Sequence, residues 1–415
     1  MDRIPSGNTK SIWGSIGQIG QPSPGQKPQP SGGGIWGTIG SNIGQLNSGQ
    51  ITPFQKPNPT NTGAGSLYIR DSFTPSFGFS GGIPEVPHGV NVAGAAGQQA
   101  GVGAKLTPSV GDEPAAIMNF NPEYRALGTK EMSPEQARAA LTGDIEYRST
   151  QFLDNQSDYL ERLTASGAEN SAANFSLGSS KASESFRVYE MALGALGKGN
   201  KTLSDNFIKA YGVDEAKIRS RDDGVQQAEL SKLQQSIINH VSDTWDNSDK
   251  IGNSVDRWDG AVEKFEKGKN SVVISAGNEG DVEEFMEKVT GKHQLNVPSD
   301  FETNILENDL VTSVGATDGK GKRAEYSSES GGVDIYANGN YQAAAGAEPV
   351  EGTSFASPRV GVVMAELHKL NPDMTSAQVE TLMRNKLSQP LAQGNSAAPV
   401  LRSDASLSFL RGQKY

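Results

Sequence analysis

Apolar residues are scattered without period over residues 1–65 and gather into runs only from Ser66 onward. Leu67-Tyr68-Ile69 is a short β-prone run that ends at Asp71. A Gly/Pro-rich loop follows, and His88 to Gly97, rich in small residues, predicts a helix. Ser133-Pro134-Glu135-Gln136 predicts another helix start: Ser133 suits the N-cap, Pro134 the first turn, and Gln136 closes a capping box. Ala172 to Gly178 reads as a buried strand entering a turn. Residues 181–250 are polar and predict helices over 184–196, 203–211 and 225–240, and a further helix lies near 255–267. Ser271-Val272-Val273-Ile274-Ser275 and Asp309–Gly315 predict strands. Gly352–Leu370 predicts a small-residue helix and Thr375–Leu387 a capped amphipathic one.

Strands that are apolar throughout, alternating with helices, predict an α/β fold whose parallel sheet is covered on both faces. In such sheets chemistry gathers where strands end in loops. Asp71, Asn278 and Ser354 all fall at predicted strand ends or helix starts.

Residues 1–65 are dominated by Gly, Gln, Ser, Pro and Asn and predict a disordered arm, since too little apolar surface is there to offset ordering entropy. The arm carries a twofold repeat, Ser11-Ile12-Trp13-Gly14 and Gly34-Ile35-Trp36-Gly37. Duplicated low-complexity sequence explains it plainly. A pair of docking anchors for a partner is the sharper reading. The rest divides into a domain over 66–400, interrupted by the polar helical stretch at 181–250, and a tail over 401–415.

A net charge of −11 argues against nucleic acid as a partner. The absence of cysteine removes disulfides and thiolate chemistry. No run is long and apolar enough to span a bilayer, and no apolar signal follows Met1. The expectation is a soluble protein that stays in the cytoplasm or leaves by a route without a Sec signal.

Four segments carry candidate chemistry. In Gly352-Thr353-Ser354-Phe355-Ala356-Ser357-Pro358 a serine opens a helix, where the dipole and free N–H groups favour a developing oxyanion. An N-capping serine is the plain alternative. In Ala276-Gly277-Asn278-Glu279-Gly280 a strand delivers an Asn between glycines, either as an oxyanion donor or as an ordinary turn residue. Of the four histidines, His88 alone has a Gly-flanked, small-residue context at a helix start. His240 and His368 lie in polar helical runs that predict surface positions, and His293 follows in a polar loop. Asp71 ends a buried strand, where a carboxylate can orient an imidazole.

Taken together, these segments resemble the subtilisin-like serine proteases, the subtilases. Gly352 to Pro358 is similar to that family's nucleophile motif, His88 to Gly94 to its histidine motif, and Ala276 to Gly280 to its oxyanion segment. Asn174 to Gly178 resembles the strand that pairs with a substrate backbone. Val311 to Thr317 and Asp334 to Gly339 resemble two structural segments before the serine.

The resemblance implies a subtilisin-like fold and a serine endopeptidase acting on protein or peptide substrates. Ser354 would be nucleophile, His88 base, Asp71 its orienting acid and Asn278 oxyanion donor. Ser176, Leu177, Gly178, Ala276 and Gly277 would bind substrate. A catalytically silent binding module and a non-proteolytic serine hydrolase are the alternatives.

Departures are specific. Only 17 positions separate Asp71 from His88, no glycine follows Asp71, and Arg359 stands where the family often has histidine. Residues 1–65 are expected to be too poor in apolar residues to fold as the family's inhibitory propeptide does. The resemblance implies no required cofactor and leaves calcium open as a structural ion. Asp243 to Asp249 is acidic but lacks the calcium-loop spacing and reads as a solvated polar turn.

Overall fold

The computed structural model describes residues 66–71, 88–100, 122–197, 200–280, 295–328, 332–343, 349–392 and 398–402. The arm with Trp13 and Trp36, His293 and the tail beyond Arg402 lie outside the described residues.

The central sheet is built from β1 (Leu67–Arg70), β2 (Ala172–Phe175), β3 (Ser271–Ser275), β4 (Val311–Thr317) and β5 (Ile335–Asn338), all parallel. After a two-residue hairpin pair, β6 (Asn340–Tyr341) with β7 (Val350–Glu351), the short strands β8 (Ser388–Gln389) and β9 (Val400–Leu401) extend the far edge. The order is β1-β2-β3-β4-β5-β9-β8, and only the β8–β9 pair is antiparallel.

The sheet is sandwiched because successive strand residues point to opposite faces. Leu67, Ile69, Ala172, Val273 and Val314 enter one core with α1 (His88–Ala100) and α9 (Thr353–Leu370). Tyr68, Ala173, Phe175, Val272 and Ile274 enter the other. There α3 (Pro134–Ala165) and α8 (Asp249–Glu266) cover them, with Trp258 fully buried and donating Nε1–H to the Leu306 carbonyl at 2.8 Å. Burying each large side chain contributes roughly 1.5–3 kcal/mol, and two apolar cores explain why the strands read as unbroken runs.

Helix starts follow local chemistry. Ser133 and Gln136 form the capping box at the head of α3, and Thr375 with Gln378 forms a second one at α10 (Ser376–Lys386). The stretch at 181–250 folds as α4 (Lys181–Gly197), α5 (Lys201–Tyr211), α6 (Glu215–Ile218) and α7 (Asp223–Asn247). With α2 (Pro122–Leu127) and the first half of α3, these helices enclose an apolar core of their own, including Leu141, Ile145, Tyr189, Phe207 and Leu233. The acidic run at 243–249 is the last turn of α7, the Ser248 cap and the start of α8 rather than a turn. Among the described residues no group of three or more His, Asp or Glu could hold a metal ion, and no helix is long and apolar enough to cross a membrane.

Two histidines depart from expectation. His240 and His368 are buried, not surface residues. His240 sits between the Thr142 hydroxyl at 2.8 Å and the Tyr211 hydroxyl at 3.2 Å, and burial depresses its pKa to about 3. His368 meets the Ser271 hydroxyl at 2.8 Å, and burial holds its pKa down to about 4. His240 lies on the core-facing stripe of a helix that is polar overall, whereas His368 ends a helix that is buried at nearly every position. Composition hid what packing decided.

Candidate active site

The register aligns the site. Arg70 pairs with Phe175 and Phe175 with Ile274, so Asp71, Ser176 and Ser275 come next on three adjacent strands. Asp71, the segment Ser176-Leu177-Gly178 and the segment Ala276-Gly277-Asn278 therefore leave the sheet together at its carboxyl edge. The starts of α1 and α9 bring His88 and Ser354 to the same edge.

Asp71 is fully buried, and its Oδ1 lies 2.8 Å from Nδ1 of His88. The short spacing between them in sequence does not prevent the contact. Burial works to lower the His88 pKa, but the Asp71 charge and hydrogen bond outweigh it and hold the imidazole above its usual value. The ring of Phe355 packs against His88, with centroids 5.5 Å apart and planes tilted by 44°.

Ser354 is the second residue of α9 and half-buried. Its hydroxyl donates to the Ser176 carbonyl at 3.0 Å rather than to His88. Pro358 lies inside α9 and has no N–H to offer the Ser354 carbonyl one turn back. The Ser176 hydroxyl donates to that carbonyl at 2.9 Å instead. It also accepts from Asn174 Nδ2 at 2.7 Å.

Gly352 at the N-cap makes no side-chain cap bond. Asn278 supplies the acceptor from outside: its Oδ1 takes both the Thr353 N–H and the Thr353 hydroxyl at 2.9 Å. That fixes the carboxamide, since the side holding the oxygen is occupied and Nδ2 is turned the other way, toward Gly352. Gly277 has φ +113°, and an added Cβ would fall on the Glu279 carboxylate, so glycine is required here. Leu177 is half-buried and Gly178 exposed, while Ala276 is buried and its N–H is spent on the Val314 carbonyl. Ala276 can therefore offer a wall but not that N–H.

A helix-start serine, an Asn donor and an Asp-paired imidazole at one sheet edge fit acyl transfer. The family model for the subtilase family matches residues 84–401.

The chain belongs to the subtilase family.

This subtilase has no match among curated proteins by sequence. Its fold overlaps that of a lanthipeptide protease at 15% identity and a TM-score of 0.36, covering 84% of this chain and 89% of that one. It overlaps the epidermin leader peptide processing serine protease of Staphylococcus aureus at 16% identity and 0.34, covering 84% and 76%. For a protease of Pseudoalteromonas arctica the overlap is 19% identical with a TM-score of 0.25, and it spans 39% of this chain and 47% of that one. The family match carries the assignment.

Glu279 is the functional neighbour that motif reading left without a role. Its carboxylate is buried beside Asn278, accepting from Ser180 at 2.8 Å and from Ser328 at 2.7 Å. Burial pushes its pKa up to about 7, the two serines pull against that, and Glu302 adds a smaller upward push. No local signal marks Ser180 or Ser328, which reach it from distant parts of the chain.

Proposed function

We propose that this subtilase is a serine endopeptidase with Ser354 as nucleophile, His88 as general base and acid, Asp71 as the orienting carboxylate and Asn278 as oxyanion donor. The observation that carries the reading is the 2.8 Å Asp71–His88 contact at the sheet edge where Ser354 opens its helix.

Rotation of the Ser354 side chain would move its hydroxyl from the Ser176 carbonyl to Nε2 of His88. Oγ then attacks the scissile carbonyl carbon as the proton passes to Nε2, while Nδ1–H stays on Asp71 and stabilises the imidazolium. The oxyanion would be met by Asn278 Nδ2 and the Ser354 N–H. Collapse breaks the C–N bond, and His88 returns its proton to the leaving amine. Water deacylates the enzyme by the same path in reverse. Protein or peptide substrates follow from family membership. Ser176, Leu177 and Gly178 on one side and Ala276 and Gly277 on the other would flank the bound chain, with the Gly178 backbone open to solvent to pair with it.

Fluorophosphonate labelling tests the reading. Wild type should be labelled on Ser354 and should hydrolyse an unstructured protein, and Ser354→Ala should do neither while its unfolding midpoint stays near that of wild type. A folded wild type that neither labels nor hydrolyses would overturn it.

A further inference from the structure

His88 has Asp71 at its edge and Phe355 tilted against its ring, and Phe355 is in turn backed by Tyr341, with ring centroids 6.0 Å apart and an interplanar angle of 29°. Tyr341 lies in β6, and a side chain at Gly94 of α1 would collide with it, since a Cβ there would come within 2.1 Å of the Tyr341 hydroxyl. β6 pairs with β7, and Asn340 bonds to Asn338 and Asp318; a clip between the two helices of the site adds to these. Arg359 of α9 donates from Nη2 to the Asn340 carbonyl at 3.0 Å and to Gln98 Oε1 at 2.9 Å. Gln98 of α1 donates from Nε2 to the Gln342 carbonyl at 3.1 Å. The carbonyls on either side of Tyr341 are thus gripped by two side chains that also grip each other.

The chemistry of the clip is unusual for a structural element. Arg359 is buried, its Nε has no hydrogen-bond partner, and no carboxylate among the described residues pairs with it. A buried cation held only by neutral acceptors costs stability. An apolar side chain of the same length would pack there at least as well, so packing alone does not account for arginine.

We propose that Gln98 and Arg359 are positioning residues for His88, acting through Tyr341 and Phe355 to hold the imidazole face at its angle to Ser354. The inference rests on the catalytic reading above. A tether of this kind matters because small displacements of a general base are expensive: about 1 Å can cost about 10²-fold in rate.

The test uses the full chain and Arg359→Met, Gln98→Met, their combination and Arg359→Lys. Arg359→Met removes a buried cation but also the donor to the Asn340 carbonyl and to Gln98, so the two effects oppose each other and the unfolding midpoint should change little. The substitution should nevertheless lower kcat about tenfold, with KM within about twofold, and slow fluorophosphonate labelling to match. The acidic limb of the pH–rate profile should move to lower pH as the imidazole loosens from Asp71. Gln98→Met should act in the same direction, and the double variant should be no worse than the poorer single one, since the two act as a unit. Arg359→Lys keeps a donor and should recover part of the rate. Wild-type kcat, labelling rate and pH limb in both methionine variants would overturn the proposal, whatever their melting temperatures. Should Arg359→Met fail to fold, Gln98→Met decides, because Gln98 is exposed. Failure of wild type itself to label strikes the catalytic reading, and the clip proposal falls with it.

Discussion

Ser354 and Ser176 bond to each other twice: the Ser354 hydroxyl donates to the Ser176 carbonyl at 3.0 Å, and the Ser176 hydroxyl donates to the Ser354 carbonyl at 2.9 Å. The pair ties the start of α9 to the end of β2 across 178 positions of sequence. One bond holds the proposed nucleophile at rest and must break for attack. The other compensates for Pro358 and can persist throughout.

Ser176→Ala should therefore destabilise the fold more than loss of a surface hydroxyl would. The Ser354 carbonyl would lose its donor, and leaving a buried acceptor unpaired costs about 1–3 kcal/mol. Chemical unfolding should show that loss, and adding Pro358→Ala, which restores an N–H one turn along, should recover part of it. Equal stability of Ser176→Ala and wild type would show that water replaces the bond.

Hydrolysis should rise with pH through the titration of His88, with its midpoint above about 6.5 because Asp71 holds the imidazolium. The sign for stability is the reverse. The ion pair stabilises fully below the unfolded value and is lost as pH rises through the higher folded one. Asp71→Asn removes the charge and leaves burial unopposed, so the rate midpoint should fall below the ordinary histidine value while the rate itself drops by about 10⁴-fold. Rate profiles from pH 5 to 9 check both, and a midpoint unmoved by Asp71→Asn would mean that another carboxylate orients His88.

Glu279 should make the fold less stable as pH rises. Its folded pKa of about 7 lies above the ordinary glutamate value of 4.5, so the folded state holds a proton that the unfolded chain releases in that window. Stability should decline between those values by on the order of 3 kcal/mol and then level off. Glu279→Gln should match wild type near pH 5 and exceed it near pH 8. Parallel pH dependence of the two proteins would show that Glu279 ionises normally.

Deleting residues 1–65 tests the docking reading of the arm. If the Ile-Trp-Gly repeats serve a partner rather than the site, the truncated chain should fold and hydrolyse peptide within a few-fold of full length. The free arm, added back at low micromolar concentration, should not inhibit. Inhibition by the added arm, or failure of the truncated chain to fold, would assign it to the enzyme's own folding or control.

The sequence by itself determined whatever depends on neighbours a few positions away. Ser133-x-x-Gln136 and Thr375-x-x-Gln378 close capping boxes within one turn, so both helix starts were readable. Strands β1 to β4 were readable because both sides of a parallel strand are buried, which makes the run apolar or small throughout. The segments around His88, Asn278 and Ser354 were readable from their glycine and small-residue contexts, and Asp71 from its place at the end of a buried strand. Tertiary structure alone decided what those side chains do to one another. Parallel crossovers bring residues 71, 176, 278 and 354 together from remote parts of the chain, and no local period encodes such a meeting. The orientation of the Asn278 carboxamide, the double bond between Ser176 and Ser354, and the hydroxyls around Glu279 all arise there. The same reason hid His240, since a helix that is polar on average still has one buried stripe that only its packed neighbours reveal, and His368, whose helix packs inside the fold and is buried at nearly every position.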